Sequence, residues 1–101
     1  MEDTERVVMV YFLRRTRDGA GDSGSMSNIG RLVDGKEEWE HNAEPRVGWV
    51  IRVGSSFSRT FSYTDYWTTT PVTEILSREE DKDGRVTVEF RTGNSEYVWR
   101  S

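Results

Sequence analysis

The chain has no cysteine, so a disulfide framework, a zinc–thiolate site and a thiol nucleophile are all excluded, and the redox compartment is left open. Histidine is nearly absent too. His41 stands alone in WEHNAEP, with no nucleophile-elbow sequence elsewhere to complete a serine triad, and it reads as a surface residue. Leucine and isoleucine supply three residues each, so the core must be aromatic. The longest apolar run, Val7 to Leu13, is far short of the roughly twenty residues that span a bilayer. Glu2, Asp3 and Glu5 precede it where a signal peptide would be basic, and a soluble cytoplasmic protein is expected. An excess of positive charge is missing as well. Fourteen Lys and Arg against eighteen Asp and Glu give a net charge of −4, which argues against duplex nucleic acid as a partner.

What remains is aromatic and β-branched. Four Trp, four Tyr, four Phe and eleven Val must exclude water from a single domain over residues 1–101. Hydrophobic content of 34% is low for a core of this size, and burying rings between subunits would help. A homo-oligomer and a monomer both stay open. The clearest element is the C-terminal hairpin, VTVEFRTGNSEYVW. A two-residue Gly93-Asn94 loop, read as a type II′ turn, sets Arg91 opposite Glu96, Phe90 opposite Tyr97 and Val88 opposite Trp99. Val86, Val88, Phe90, Tyr97 and Trp99 then share a buried face, and Arg91 and Glu96 meet on the other.

Along the rest of the chain, residues 1–14 read as an N-terminal strand or arm, buried on both faces or added to a neighbouring subunit's sheet. Residues 15–28, rich in Gly and Ser, read as a flexible loop and a hinge for strand exchange; residues 29–101 form the body. Lys36 to His41 follows either an Asp34-Gly35 hairpin or begins a short helix, and the hairpin is preferred. GWVIRV is a strand. Phe57, Arg59, Phe61 and Tyr63 alternate with hydroxyl residues as another, with a turn around Thr64 to Tyr66. Pro71 confines TTTP to an edge or a strand start. VTEILS meets RVTVEF through the DKDG turn, in a register that places either Leu76 or Ile75 inward. The fold expected is mainly β, a small barrel or strongly bent antiparallel sheet of five to seven short strands.

Three motif-like stretches carry little. GAGDSG has dinucleotide-fingerprint spacing, but RTRD separates it from the preceding strand and no helix-forming segment follows. Glu79, Glu80, Asp81 and Asp83 lack the ladder of a calcium loop and read as a solvated turn, so no metal is expected. Paired carboxylates are too common among eighteen acids to mark glycoside chemistry. The protein is read as a non-enzyme that needs no cofactor.

The strongest candidate for binding is SSFSRTFSYTDYWTTTP. Residues 46–73 carry Arg46, Arg52 and Arg59 against Asp65 alone, three minus one, the basic stretch of an acidic chain. Rings stack on a base, an Arg fork holds a phosphate and hydroxyls bond sugar and phosphate oxygens. The ligand-binding residues expected are Arg59, Tyr63, Tyr66, Trp67, Thr68, Thr69 and Thr70, converging on one exposed site. On an alternating strand, Phe57, Phe61 and Tyr63 are better read as core, with Ser and Thr as ordinary surface residues on the other face. Tyr66 and Trp67, being adjacent, must point to opposite faces.

TTTPVTEIL followed by VTVEFRTGNSEYVW resembles a pattern in small proteins of phages and bacteria, in which Thr-Ser/Thr-Pro-Val precedes a strand and the chain closes on Thr-x-Asn-Ser-x-Tyr. The resemblance covers roughly residues 47–100. No activity is attached to that group, so no functional residue carries over. It implies an origin on mobile elements, where small proteins block host defence by occupying an immune protein or sequestering its nucleotide signal. The reading is a phage-type anti-defence binding protein that sequesters a nucleotide-like molecule. The alternatives are an inhibitor docked on a host protein, including a nucleic-acid mimic, and a structural module of a larger complex.

Overall fold

The ladders of nine strands organise the protein, whose computed structural model describes residues 10–55 and 66–101. The strands are β1 Tyr11–Arg15, β2 Gly21–Gly24, β3 Met26–Val33, β4 Lys36–His41, β5 Val50–Gly54, β6 Tyr66–Thr68, β7 Val72–Glu80, β8 Val86–Thr92 and β9 Glu96–Arg100. They form two antiparallel sheets, sheet A in the order β2-β1-β9-β8-β7 and sheet B in the order β4-β3-β5-β6. Neither sheet closes on itself. The chain is mainly β as expected, but it is a pair of facing sheets rather than a barrel or one bent sheet, and it has more strands than the five to seven expected. Among the described residues there is no helix, hence none long and apolar enough to cross a membrane.

The extra strands come from sequence that reads as loop. Gly21–Gly24 pairs with β1, and Met26 already pairs with Gly54 in sheet B, so the chain crosses between sheets at Ser25. Glycine is needed there for space. A side chain at Gly24 would collide with the backbone carbonyl of Gly54, and one at Gly21 with that of Leu13. At the next turn, Asp34 and Gly35 both have positive φ, 52° and 78°, the signature of a type I′ hairpin. It pairs Val33 with Lys36, and Lys36–His41 is a strand.

The core lies between the sheets. Alternation sends Tyr11, Leu13, Val88, Phe90, Tyr97 and Trp99 inward from sheet A to meet Ile29, Ile51 and Val53 of sheet B. Tyr11 stacks on Trp99 at 5.8 Å and Phe90 on Tyr97 at 5.4 Å between ring centroids. A polar link crosses the core. Trp99 Nε1 donates to Ser27 Oγ at 2.8 Å, and that hydroxyl donates to the Ala43 carbonyl at 2.9 Å.

The C-terminal hairpin has the expected register, with Phe90 opposite Tyr97 and Val88 opposite Trp99. The turn chemistry differs. Gly93 does not have the positive φ that a type II′ turn requires, and the Thr92 hydroxyl accepts from the N–H groups of Asn94 (3.3 Å) and Ser95 (3.2 Å) instead. Strand β7 settles neither inward choice. Bulges shift its register between Val72 and Glu74 and again between Ile75 and Ser77, leaving Ile75 and Leu76 both partly exposed at the sheet edge. Of residues 1–14, read as an N-terminal strand or arm, residues 1–9 lie outside the described residues. Tyr11–Arg15 is a strand with Tyr11 and Leu13 buried and Phe12 exposed, so one face is buried rather than both, and it pairs with β2 and β9 of its own chain.

Candidate functional site

The outer face of sheet B departs from an ordinary solvated face. Alternation directs Ile29, Ile51, Val53 and Trp67 inward and therefore Asn28, Gly30, Trp39, Arg52, Tyr66 and Thr68 outward. The type I′ turn places Gly30 opposite Trp39, and the indole lies down on the glycine: a Cβ at Gly30 would sit 2.7 Å from its ring carbons. Trp39 Nε1 donates to Glu37 Oε1 at 2.9 Å, fixing the ring's orientation.

Arg52 occupies the centre. Its guanidinium carbon lies 4.4 Å from the centroid of Trp39 and 4.5 Å from that of Tyr66, so two rings from the two edge strands hold the cation. Its Nε donates to Thr68 Oγ1 at 3.1 Å. Among the described residues no carboxylate pairs with it, in contrast to Arg15, Arg31, Arg46, Arg78 and Arg91, each of which has a carboxylate partner within 3.1 Å. Among the described residues, its terminal guanidinium nitrogens make no hydrogen bond or ion pair.

Five of the expected site residues fall among those described, and they separate. Tyr66 and Thr68 join Arg52 on the outer face, while Trp67 turns inward, packs against the core and lies 5.2 Å from the guanidinium of Arg15. The two adjacent rings do point to opposite faces. Thr69 is buried and structural: its hydroxyl donates to the Thr70 carbonyl at 2.7 Å and accepts from the Ile51 N–H at 3.2 Å. Thr70 is exposed beyond the end of β6. Arg59 and Tyr63 lie outside the described residues, as does the alternating segment from Phe57 to Thr64.

Sequence reasoning does not single out Arg52 and Trp39. Arg52 reads as one polar residue in the core strand WVIRV, and Trp39 as a ring in an acidic hairpin. Counting back from the Asp34-Gly35 turn, however, brings Gly30 opposite Trp39, and a lone glycine in a strand marks a close approach.

A second aromatic–cation cluster shows the contrast. Arg31 and Arg46 lie 4.3 and 5.0 Å from the ring of Trp49, but Arg31 pairs with Glu38 at 2.9 Å and Arg46 with Glu40 at 2.8 Å. The Arg46 guanidinium holds the Glu40 carboxyl below its usual pKa, and the carboxylate raises that of Arg46. Those charges are spent on each other. Among the described residues no group of three or more His, Cys, Asp or Glu side chains is arranged to hold a metal ion. The chain matches no protein-family model, no curated protein and no solved structure.

Proposed function

We propose that the protein is a non-catalytic binding module that takes up a nucleotide-like anion on the outer face of sheet B. The observation that carries this reading is Arg52, a cation fixed by two rings and a hydroxyl and left without a carboxylate among the described residues. Fixing the side chain beforehand lowers the entropy lost on binding, and the planar fork suits a phosphate. Trp39 and Tyr66 offer ring surface for a base beside it. Sequestration of a nucleotide signal by a phage-type protein fits this arrangement, with the ligand anchored by Arg52 rather than by Trp67 or Thr69.

Calorimetry of the purified protein against a panel of nucleotides tests the reading, with native mass spectrometry for any ligand retained from the expression host. A charge-assisted hydrogen bond is worth about 1.5–3 kcal/mol, so Arg52→Gln weakens binding by about tenfold or more. Losing two exposed cation–π contacts of about 0.5–1 kcal/mol each lowers its melting temperature, by about 4–8 °C per kcal/mol, but leaves the protein folded at the assay temperature. Unchanged affinity in Arg52→Gln, or no nucleotide bound at all, sinks the proposal. One observation favours a docked host protein instead: Leu32, 71% exposed, stands on the same face diagonal to Trp39. That reading gains if nucleotides fail and Leu32→Asp abolishes capture of a defined protein partner.

A further inference from the structure

The register row that contains Arg52 holds more donors than a single charge requires. His41, Asn28, Arg52 and Thr68 are successive cross-strand neighbours on β4, β3, β5 and β6, all on the outer face. Thr68 takes Arg52 Nε, which leaves the two terminal nitrogens of the fork. The side chains of Asn28 and His41 make no hydrogen bond or ion pair among the described residues, and His41 is exposed while Asn28 is half-buried. Glu37 is the one carboxylate at an outward position of these four strands, and the Trp39 indole occupies it. A polar row thus crosses the sheet between two rings, with donors at its middle and at its β4 end. There His41 also lines an open depression of about 410 Å³ together with Glu40 and Asn42.

We infer that the anion this row recognises is a terminal phosphate, a phosphomonoester, rather than the internal phosphate of a diester. The inference rests on the binding reading above and narrows its ligand class. A diester presents two unesterified oxygens and one charge, which the fork of one arginine satisfies. A monoester presents three terminal oxygens and a charge of about −1.5 to −2 at pH 7. Its third oxygen needs another donor, which the Asn28 amide and the His41 imidazole supply in the same row. The substituent carried by the phosphate has the Trp39 and Tyr66 rings on either side.

The test compares a nucleoside 5′-monophosphate with the 3′,5′-cyclic monophosphate of the same nucleoside, which shares base and sugar and differs in one ester bond. Calorimetry at fixed ionic strength should show the 5′-monophosphate binding at least tenfold more tightly. Asn28→Ala and His41→Ala should each bring that ratio toward one while leaving the cyclic nucleotide's affinity and the melting temperature in place. Equal affinities for the two nucleotides, both lost in Arg52→Gln, overturn the monoester inference but leave the binding site standing. A preference that survives both substitutions also overturns it. Binding of neither nucleotide overturns this inference and the proposed nucleotide site together.

Discussion

Ser27→Ala removes one oxygen from the centre of the molecule, and its effect can be worked out from two hydrogen bonds. Ser27 is fully buried and Trp99 is 2% exposed, so no solvent replaces the lost partner. The indole N–H, now 2.8 Å from Ser27 Oγ, becomes an orphaned buried donor, and the Ala43 carbonyl loses the hydroxyl at 2.9 Å. Leaving a buried polar group unpaired costs about 1–3 kcal/mol and losing a neutral hydrogen bond about 1 kcal/mol. The substitution should therefore destabilise the fold by about 2–4 kcal/mol. For a domain of this size, each kcal/mol lowers the melting temperature by about 4–8 °C, so the loss is easily read.

A double-mutant cycle separates the bond from the packing. Trp99→Phe removes the donor and some ring surface, and in that background Ser27→Ala orphans nothing but the Ala43 contact. The cost of Ser27→Ala should then fall to about 1 kcal/mol, a coupling of about 1–3 kcal/mol between the two positions. Urea titrations followed by circular dichroism give the four free energies, and unchanged slopes confirm that the denatured states are comparable. If Ser27→Ala lies within about 0.5 kcal/mol of the parent, or the two substitutions simply add, the polar link between the sheets contributes nothing.

Two glycine substitutions should differ sharply: Gly24→Ala meets the rigid backbone carbonyl of Gly54 and costs about 1–3 kcal/mol or more, whereas Gly30→Ala meets only the Trp39 ring and chiefly displaces it from Arg52. Chemical denaturation ranks the pair, and a larger loss at Gly30 contradicts the assigned contacts. The Asp18 carboxyl, bonded by the Arg15 guanidinium and by the Ala20 N–H, is lowered from 3.8 to about 2. Because its folded value lies below its unfolded one, its contribution is complete above about pH 4 and disappears as pH falls through about 2. NMR titration of the Asp18 carboxyl should show that midpoint, and a midpoint near 3.8 refutes the pairing.

The legible parts of the sequence were those in which a short turn and strict alternation acted together. The C-terminal hairpin register follows from a two-residue loop even though the turn is held by the Thr92 hydroxyl and not by a positive-φ glycine, because loop length alone fixes which residues pair. Where extra residues enter, counting fails. The bulges of β7 at Thr73 and Leu76 break the alternation that would have placed Ile75 or Leu76. The glycines at 21 and 24 read as flexibility, yet here they supply clearance between backbones, and nothing local to the sequence distinguishes those two uses. At the site, alternation placed Tyr66 and Trp67 on opposite faces, but it could not bring Trp39 to Arg52. That contact runs diagonally across β3 from β4 to β5 and exists only once the order of strands in sheet B is known.

The two outer faces of the molecule show why Arg52 stands apart. On sheet A, Arg91 bridges Glu74 at 3.1 Å and Glu96 at 2.9 Å, and the carboxylates raise its pKa. Such exposed pairs contribute about 0–1 kcal/mol each, and they also neutralise the face that bears them. On sheet B the rings of Trp39 and Tyr66 hold an arginine in place without cancelling its charge. A cation–π contact at an exposed site is worth about 0.5–1 kcal/mol, comparable to the ion pair it replaces, so the fold gives up little stability by using rings where sheet A uses carboxylates. The difference lies in what an approaching anion meets. Against Arg91 it must displace two carboxylates, whereas against Arg52 it meets an oriented fork that no carboxylate among the described residues engages. Because the core lies on the opposite side of β5, a change at Arg52 alters that encounter while Ile51 and Val53 stay packed.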